Sequence, residues 1–533
     1  MGGGHQDRTN RQNTPRMLGQ LLYGLPAGPL HKVKRFKENP VETQARVLRE
    51  LLQRAAQTEW GRRYDFGAIA REPDVVGAYQ ARVPLHTYED FRADAGRVRA
   101  GEPDILWPGV FQNFAVSSGT ASTGKIIPVS HDMLVSNASF SVGVGLNYLA
   151  ESGDPGFLFG KHLTLPGRID EDPKYPGTKV GEVSGLQAEY APGFFKRIFQ
   201  AIPNEIAFLP NWEQKLETIA ARTMEMDIRM VAMAPTWGLV FFKQLLALYK
   251  ERKGRQVSTV GEIWPNLRLF ISGGVALSSY RHLLEAQLGL PKLQFIETYG
   301  ASEGFFSFQN TLDDPSMLLH LDNGIFFEFV RQEELGKPNA RRYTIADVEP
   351  NVRYAPFITT CSGLWAYAVG DVLRFTSTFP HKLIVAGRTS EVIDKYGEMV
   401  FGDEARAALQ HACSLTGAQV LDYHIAPREA SLDALPTHQW LVEFERPPED
   451  LDTFARLIDE YLQEINRHYQ IRREARAFDR PEIVPLPQGV FYEWLKQTKK
   501  KISGQTKVPR MSEERAVADS VLALSGTYSS NRA

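Results

Sequence analysis

The sequence predicts an α/β protein: a large N-terminal unit followed by a smaller α+β unit. Three observations carry that reading. Helical periods alternate with short β-rich runs through most of the chain, the texture turns strand-like from about Gly363, and a separate helix–strand set follows residues 394–397. Taken in order, Asn39, Pro40 and Glu42 supply an N-cap, a proline at the first helical position and a capping-box acid. Val47, Leu48, Leu51, Leu52 and Ala55 fall on one face behind them, which predicts an amphipathic helix over 40–56. The run FAVSS, ending at Ser118, reads as a strand. Leu216, Ile219, Ala220, Thr223 and Met224 mark a second helix; Leu239, Phe242, Leu246 and Tyr249 mark a third. LRLFIS, ending at Ser272, and LQFIETY, ending at Tyr299, are strands by composition. LWAYAVGDVLRF and KLIVAGR continue in that style before the turn-forming DKYGE, and a new helix starts near Asp403. β-like VLDYHIA and QWLVEFE precede a long helix on Leu451, Phe454, Leu457, Ile458, Tyr461, Leu462 and Ile465. The tail beyond Met511 is polar and reads as loose at its terminus.

The 533 residues suffice for about three folding units, or one large domain with an appendage. With 43% apolar and 23% charged residues the chain is globular, which excludes a disordered or fibrous protein. A formal charge of −2 gives no bulk attraction to nucleic acid or an anionic membrane, so neither is expected as a partner. Cys361 and Cys413 form no CxxC or Cys/His cluster, which excludes a disulfide framework and a thiolate zinc site and suits a reducing compartment. The apolar window Met230–Phe242 is far short of a membrane span and is broken by Pro235. The opening MGGGHQDRTNRQNTPR has no apolar stretch behind a basic start and reads as a frayed terminus, not a signal peptide. A cytoplasmic, monomeric protein acting on small molecules is expected.

Three motifs carry chemistry. SSGTASTGK (Ser117–Lys125) holds GxxxxGK from Gly119, which is a Walker A signature lacking its last position. Ser or Thr must come next to hold magnesium, and a helix must face the phosphates. Here Ile126, Ile127 and Pro128 follow, which indicate a strand, so the Walker reading fails on context. What survives is a strand–loop–strand whose backbone N–H groups, hydroxyls on Ser117, Ser118 and Thr120, and Lys125 ammonium can wrap a polyphosphate, or else a solvated hairpin loop. YGASEG (Tyr299–Gly304) fits the GxSxG nucleophile elbow, which requires a helix after it; Phe305–Gln309 look β-like instead. A serine hydrolase on Ser302 would conscript Asp371 with His381, His411 or His424. The competing reading makes Glu303 a magnesium ligand and sets Ser302 and the backbone, Ala301 included, against a nucleotide. In YAVGDVLRF, Asp371 follows a tight glycine at a strand end, where an acid can accept both ribose hydroxyls, with Arg388 assisting from the next strand. Taken singly, such GD and GR turns are ordinary hairpin chemistry.

In this order the motifs resemble the adenylate-forming superfamily of acyl-CoA synthetases, luciferases and peptide-synthetase adenylation domains. GRTSEVIDKYGEMVFGDEA is similar to its hinge pattern. More narrowly, TEWGRRYDF, the SSGT loop, FFEF at Phe326–Phe329, GLWAYAVGDVLRF, GVFYEWL and GQTKVPR resemble the auxin-responsive promoter family of acyl acid amido synthetases, as a bacterial-type relative. The resemblance implies an adenylation domain over 1–394, holding ATP and the acid, and a mobile cap over 395–533 that turns about Asp394. It implies that Ser117, Ser118, Gly119, Thr120 and Lys125 cradle phosphates, that Glu303 binds magnesium and that Asp371 binds ribose. Tyr299 lies by the adenine or α-phosphate, Gly273 and Gly274 line the base, and Lys507 is the mobile lysine, with Lys501 as its rival.

The implied chemistry is activation of an acid as its acyl-adenylate and transfer to an amino-acid amine; the alternatives are CoA as acceptor, or the Ser302 hydrolase. A carboxylate becomes electrophilic once joined to AMP, and cationic charge must meet the departing pyrophosphate, from magnesium on Glu303 and from Lys125 or Lys507. The loop departs from the plant pattern in having Ala121 and one residue fewer before Lys125. Residues 131–150 contain no arginine for a second acidic group of the substrate. Phe140, Trp237 and Phe241 are as well explained as core as they are as walls of an acyl pocket.

Overall fold

The computed structural model describes residues 29–117, 125–389, 391–429, 435–498 and 506–530. The chain divides into two compact units. The first runs to Val369 and takes in Leu373–Ile384; the second comprises Gly370–Val372 and the chain from Val385 onward. Residue 394 falls inside the second unit, in the turn between strands Val392–Ile393 and Val400–Phe401.

An eleven-stranded mixed sheet dominates the first unit. Across it run Ile325–Arg331, Arg353–Thr360, Asp371–Thr378, His381–Arg388, Met317–Leu319, Gly304–Gln309, Gln294–Ala301, Leu269–Gly273, Ile228–Ala232 and Lys161–Thr164, with Tyr367–Ala368 paired to Arg353–Thr360. The last four in that order are parallel to one another. Parallel neighbours need crossover connections, which helices Trp212–Thr223, Pro235–Lys253 and Arg281–Leu288 provide. Their strands are apolar at consecutive positions, as in Leu269–Phe270 and Met230–Val231, because both faces are covered. A second sheet pairs Lys125–Pro128, Asn113–Ser117, Lys179–Gly181 and Ile169–Glu171.

Helix Pro40–Ala55 buries Val47, Leu48, Leu51, Leu52 and Ala55, the face the periodicity predicts. Gln44 docks it on the sheet: its amide donates to the carbonyls of Leu321 (2.8 Å) and Ile325 (2.9 Å) and accepts from Phe327 N–H (2.8 Å). The expected cap does not form. Asn39 N–H is spent on Arg35 in the preceding helix (2.9 Å), and its φ of −132° and ψ of 65° keep the side chain from the first turn. Helix Pro235–Lys253 is rotated from its expected face: Trp237, Phe241, Phe242, Leu245 and Leu248 are buried, while Leu239, Leu246 and Tyr249 are half-buried. Apolar residues on nearly all sides of it leave its inner face undecided by periodicity.

In the second unit Gln419–Arg428 pairs antiparallel with Thr437–Arg446, which pairs parallel with Glu482–Leu486. Helices Gly402–Thr416 and Leu451–Ile465 cover one face, Phe454, Ile458 and Leu462 packing on Tyr423, Trp440 and Val442. On the other face Ala426 and Leu441 meet Val490, Phe491, Trp494 and Leu495. Within the tail, Ala516–Ser530 is a helix that buries Ala518 and Val521 in this second cluster; the terminus itself, residues 531–533, lies outside the described residues. Its VADSVLAL stretch carries the apolar spacing that its polar ends conceal. No helix among the described residues is long and apolar enough to cross a membrane.

Candidate active site

In the first unit, distant segments are joined by a short backbone ladder. His86 N–H donates to the Ala366 carbonyl (2.9 Å) and Ala368 N–H to the His86 carbonyl (2.9 Å), so residues 86–88 run beside 366–368. The TEWGRRYDF segment buttresses that ladder. The Thr58 hydroxyl accepts Gly61 N–H (3.0 Å), Trp60 stacks on Phe91 (4.5 Å) and donates to Asp94 (2.7 Å), and Phe66 packs on Trp365 (4.3 Å). Tyr88 and Tyr367 are thereby set side by side. The Tyr88 hydroxyl accepts Ile126 N–H (2.9 Å), which fixes the start of the Lys125–Pro128 strand. Lys125 Nζ consequently lies 5.8 Å from the centroid of each ring, within cation–π reach.

Glu303 is 5% exposed and stands at the other end of Tyr367. Burial, then the charge of Glu303 and the approach of its carboxylate to the hydroxyl, pushes the Tyr367 phenol far above its ordinary value, so it stays neutral. One tyrosine therefore carries an ammonium over its ring and a carboxylate near its hydroxyl.

The nucleophile elbow is not present. Ser302 and Glu303 form a two-residue turn between Ala301 and Gly304, and the antiparallel strand Gly304–Gln309 follows where an elbow requires a helix. The candidate histidines are otherwise engaged: His381 with the Ile345 carbonyl (2.7 Å), His424 with the Pro509 carbonyl (2.7 Å), and His411 stacked on Tyr461. Gly273 pairs with Thr298 in the parallel ladder, whose hydroxyl donates to the Ser272 carbonyl (2.9 Å). Gly273, Gly274, Tyr299 and Ala301 thus lie at the carboxyl ends of parallel strands, the edge at which α/β sheets take ligands. Tyr299 is buried against Phe306 at 5.1 Å.

The second unit gathers Asp371, Arg388 and Lys507. Gly370 turns the chain at φ +90°, and its carbonyl accepts both the N–H (3.0 Å) and the hydroxyl (3.2 Å) of Thr389. That tie brings Arg388 Nε to 3.9 Å from Asp371 Oδ1, a loose pair with the arginine half-exposed. Burial, then the Arg388 charge, pushes Lys507 down to about 8, against the opposing charges of Asp371 and Glu391. Asp394 sits in a turn closed on itself: its carboxylate accepts Met399 N–H (3.1 Å), its carbonyl accepts Gly397 N–H (3.1 Å), and its own N–H donates to Glu513 (2.7 Å).

Ser118, Gly119, Thr120, Ala121 and Lys501, and the side chain of Ser117, lie outside the described residues. Among the described residues no three His, Cys, Asp or Glu side chains cluster to hold a metal. Glu303 alone suits an ion that keeps water and phosphate oxygens as its other ligands, as magnesium does. Tyr88 escaped the sequence reading because a lone tyrosine after Thr87 carries no signal of its pairing with residues 366–368.

The chain matches the GH3 family N-terminal domain over residues 29–190 and 152–292, the central domain over 318–388 and the C-terminal domain over 403–516. It is 24% identical over 541 residues to the indole-3-acetic acid-amido synthetase GH3.3 of Arabidopsis thaliana, covering 87% of this chain and 88% of that protein. Its structure is similar to GH3.15 acyl acid amido synthetase, with a TM-score of 0.75 at 20% identity over 92% of this chain and 95% of that one. It is also similar to 2-hydroxyisobutyryl-CoA ligase in the postadenylation state, with a TM-score of 0.58 at 14% identity over 91% of each chain. The fold is therefore that of the adenylate-forming enzymes, a large N-terminal domain and a smaller C-terminal one. Matched by all three domains in order, the chain belongs to the GH3 family.

Proposed function

We propose that this protein activates a carboxylic acid with ATP as the acyl-adenylate and transfers the acyl group to the amine of an amino acid. The ordered match of three GH3 domains to a chain whose plant relative is named an acid-amido synthetase carries this reading. In the first step a carboxylate oxygen attacks the α-phosphorus and pyrophosphate leaves. In the second the amine attacks the acyl carbon and AMP leaves. Neither step needs an enzyme nucleophile, in keeping with the strand that follows Ser302 and with thiols that burial pushes up to about 12 at Cys361 and about 11 at Cys413.

Lys125, held over Tyr88 and Tyr367, meets the phosphates together with Ser117, Ser118, Gly119 and Thr120. Glu303 would hold magnesium, which would supply positive charge for the pyrophosphate leaving group. Tyr367, kept neutral, braces Glu303 from the side and shields it from water. Tyr299, Ala301, Ser302, Gly273 and Gly274 line the nucleotide. Asp371 accepts the ribose hydroxyls with Arg388 beside it, and Lys507 is the cation the C-terminal domain brings in one half-reaction; the hinge proposed at 394–397, dividing residues 1–394 from 395–533, lies within the second compact unit, which takes up the chain from Val385. Placement as a bacterial-type relative has no support from the relative named above, which is a plant protein. The reading as a monomeric cytoplasmic enzyme rests on composition and the two free cysteines. Acid-dependent ATP/pyrophosphate exchange tests the first step, and product mass with amino acids or CoA offered separately tests the acceptor; a thioester in place of an amide would refute the amine.

A further inference from the structure

In the second unit the chain from Val508 to Ser512 lies as a short strap along the strand Gln419–Arg428. Ile425 N–H donates to the Arg510 carbonyl (2.9 Å) and Ser512 N–H to the Ile425 carbonyl (3.0 Å), which makes a parallel bridge between Ile425 and Met511. His424 donates from Nδ1 to the Pro509 carbonyl (2.7 Å). Val508 is buried in the cluster that holds Ala426 and Val490, and Met511 in the one that holds Tyr423 and Ile425.

Arg510 adds an ion pair to these contacts. Its guanidinium meets the Asp422 carboxylate and lies 4.8 Å over the Tyr423 ring. Both charged side chains are only 19% exposed, and burial raises the Asp422 carboxyl in spite of the Arg510 charge. A pair so far from water returns to the fold about what its desolvation costs, so stability does not account for it. Glu443, opposite Asp422 in the ladder, is committed elsewhere: it accepts Gly489 N–H (2.7 Å) and Phe491 N–H (3.3 Å).

What the pair supplies is register. A strap held by two ladder hydrogen bonds can slip along its neighbour, and one residue of slip carries the chain about 3.3 Å. A guanidinium seated on one carboxylate and one ring stops that slip, because its planar fork fits them in a fixed geometry. Lys507 stands three residues before Arg510, so the same slip would displace its ammonium. An error of about 1 Å at a reacting group can cost about a hundredfold in rate.

We propose that Asp422 is a positioning residue for the adenylate-forming reaction: through Arg510 it sets the register of the strap that presents Lys507. The assignment rests on the adenylation reading above and on Lys507 as its cation.

The test follows both half-reactions of the full-length protein, acid-dependent ATP/pyrophosphate exchange and amide formation from acyl-adenylate supplied ready-made, in wild type, Asp422→Asn, Lys507→Ala and the double variant. Asp422→Asn should lower kcat about ten- to a hundredfold in the half-reaction that Lys507→Ala impairs, with KM and the other half-reaction changed less than about twofold. In the Lys507→Ala background the same substitution should cost nothing further, because it acts through the lysine. Equal losses in both half-reactions, a loss that multiplies with that of Lys507→Ala, or wild-type rates in Asp422→Asn overturn the assignment alone. Wild-type rates in Lys507→Ala overturn it together with the role of Lys507, and no acid-dependent exchange in the wild type overturns the adenylation reading as well. Where Asp422→Asn does not fold, Arg510→Lys keeps the charge without the planar fork, and about a threefold loss confined to the same half-reaction is expected. No loss in that variant, or an equal loss in both half-reactions, overturns the assignment.

Discussion

At Tyr367 two separate sequence signals converge on one side chain, with Lys125 over its ring and Glu303 beyond its hydroxyl. Only the charge of Glu303 differs between it and glutamine, so Glu303→Gln should lower adenylation about a hundred- to a thousandfold while the urea unfolding curve stays in place. Adenylation at the wild-type rate would remove Glu303 from the metal role. Lys507 yields a pH prediction. Its folded value is pushed down to about 8, so the ammonium is present below that pH and neutral above it. The half-reaction that uses Lys507 should therefore fall as pH rises through about 8, and Lys507→Arg, charged throughout, should flatten that fall. An identical profile in the two proteins would exclude Lys507 as the titrating group.

Elements place these residues, and two of them can be tested directly. The short helix Glu59–Arg63 presses so closely on the helix Pro40–Ala55 that a Cβ on Gly61 would lie 2.0 Å from the Ala55 carbonyl oxygen. Gly61→Ala must move backbone beneath the Trp60–Phe91 stack, and should cost about 3 kcal/mol in urea unfolding. A change under half of that would mean the contact yields easily. Helix Ala516–Ser530 supplies Ala518 and Val521 to the second core layer, and Ser520 accepts the Trp494 indole N–H (2.9 Å). Ending the chain before Ala516 should lower the melting temperature of the second unit and shift Trp494 fluorescence to the red; an unchanged spectrum would show the helix is not docked. The face of Pro40–Ala55 was legible because its apolar residues form one stripe. That of Pro235–Lys253 was not, because Trp237, Leu239, Phe241, Phe242 and Leu246 surround it. The docked tail was hidden by a polar approach, Ser512 to Arg515, ahead of its apolar stretch.

For the whole molecule, the α/β class and the smaller C-terminal domain could be read from alternating periods and the change of texture near Gly363, because these are local signals. The course of the chain between the units could not. It passes from one to the other at 369/370, in the link between strands Tyr367–Ala368 and Asp371–Thr378, then back at 372/373 and across again at 384/385, within strands whose sequence shows no break. Glu303, Asp371 and Lys507 were legible through short motifs, whereas Tyr88 owes its position to the pairing of its segment with residues 366–368, hundreds of residues away. What unites these scales is the claim that the chain makes an acyl-adenylate. The most direct measurement is exchange of labelled pyrophosphate into ATP with magnesium and a broad panel of carboxylic acids. Exchange should require an acid, be lost in Glu303→Gln and be followed by amide formation when amino acids are supplied. Acid-independent exchange, or none with any acid, would contradict it.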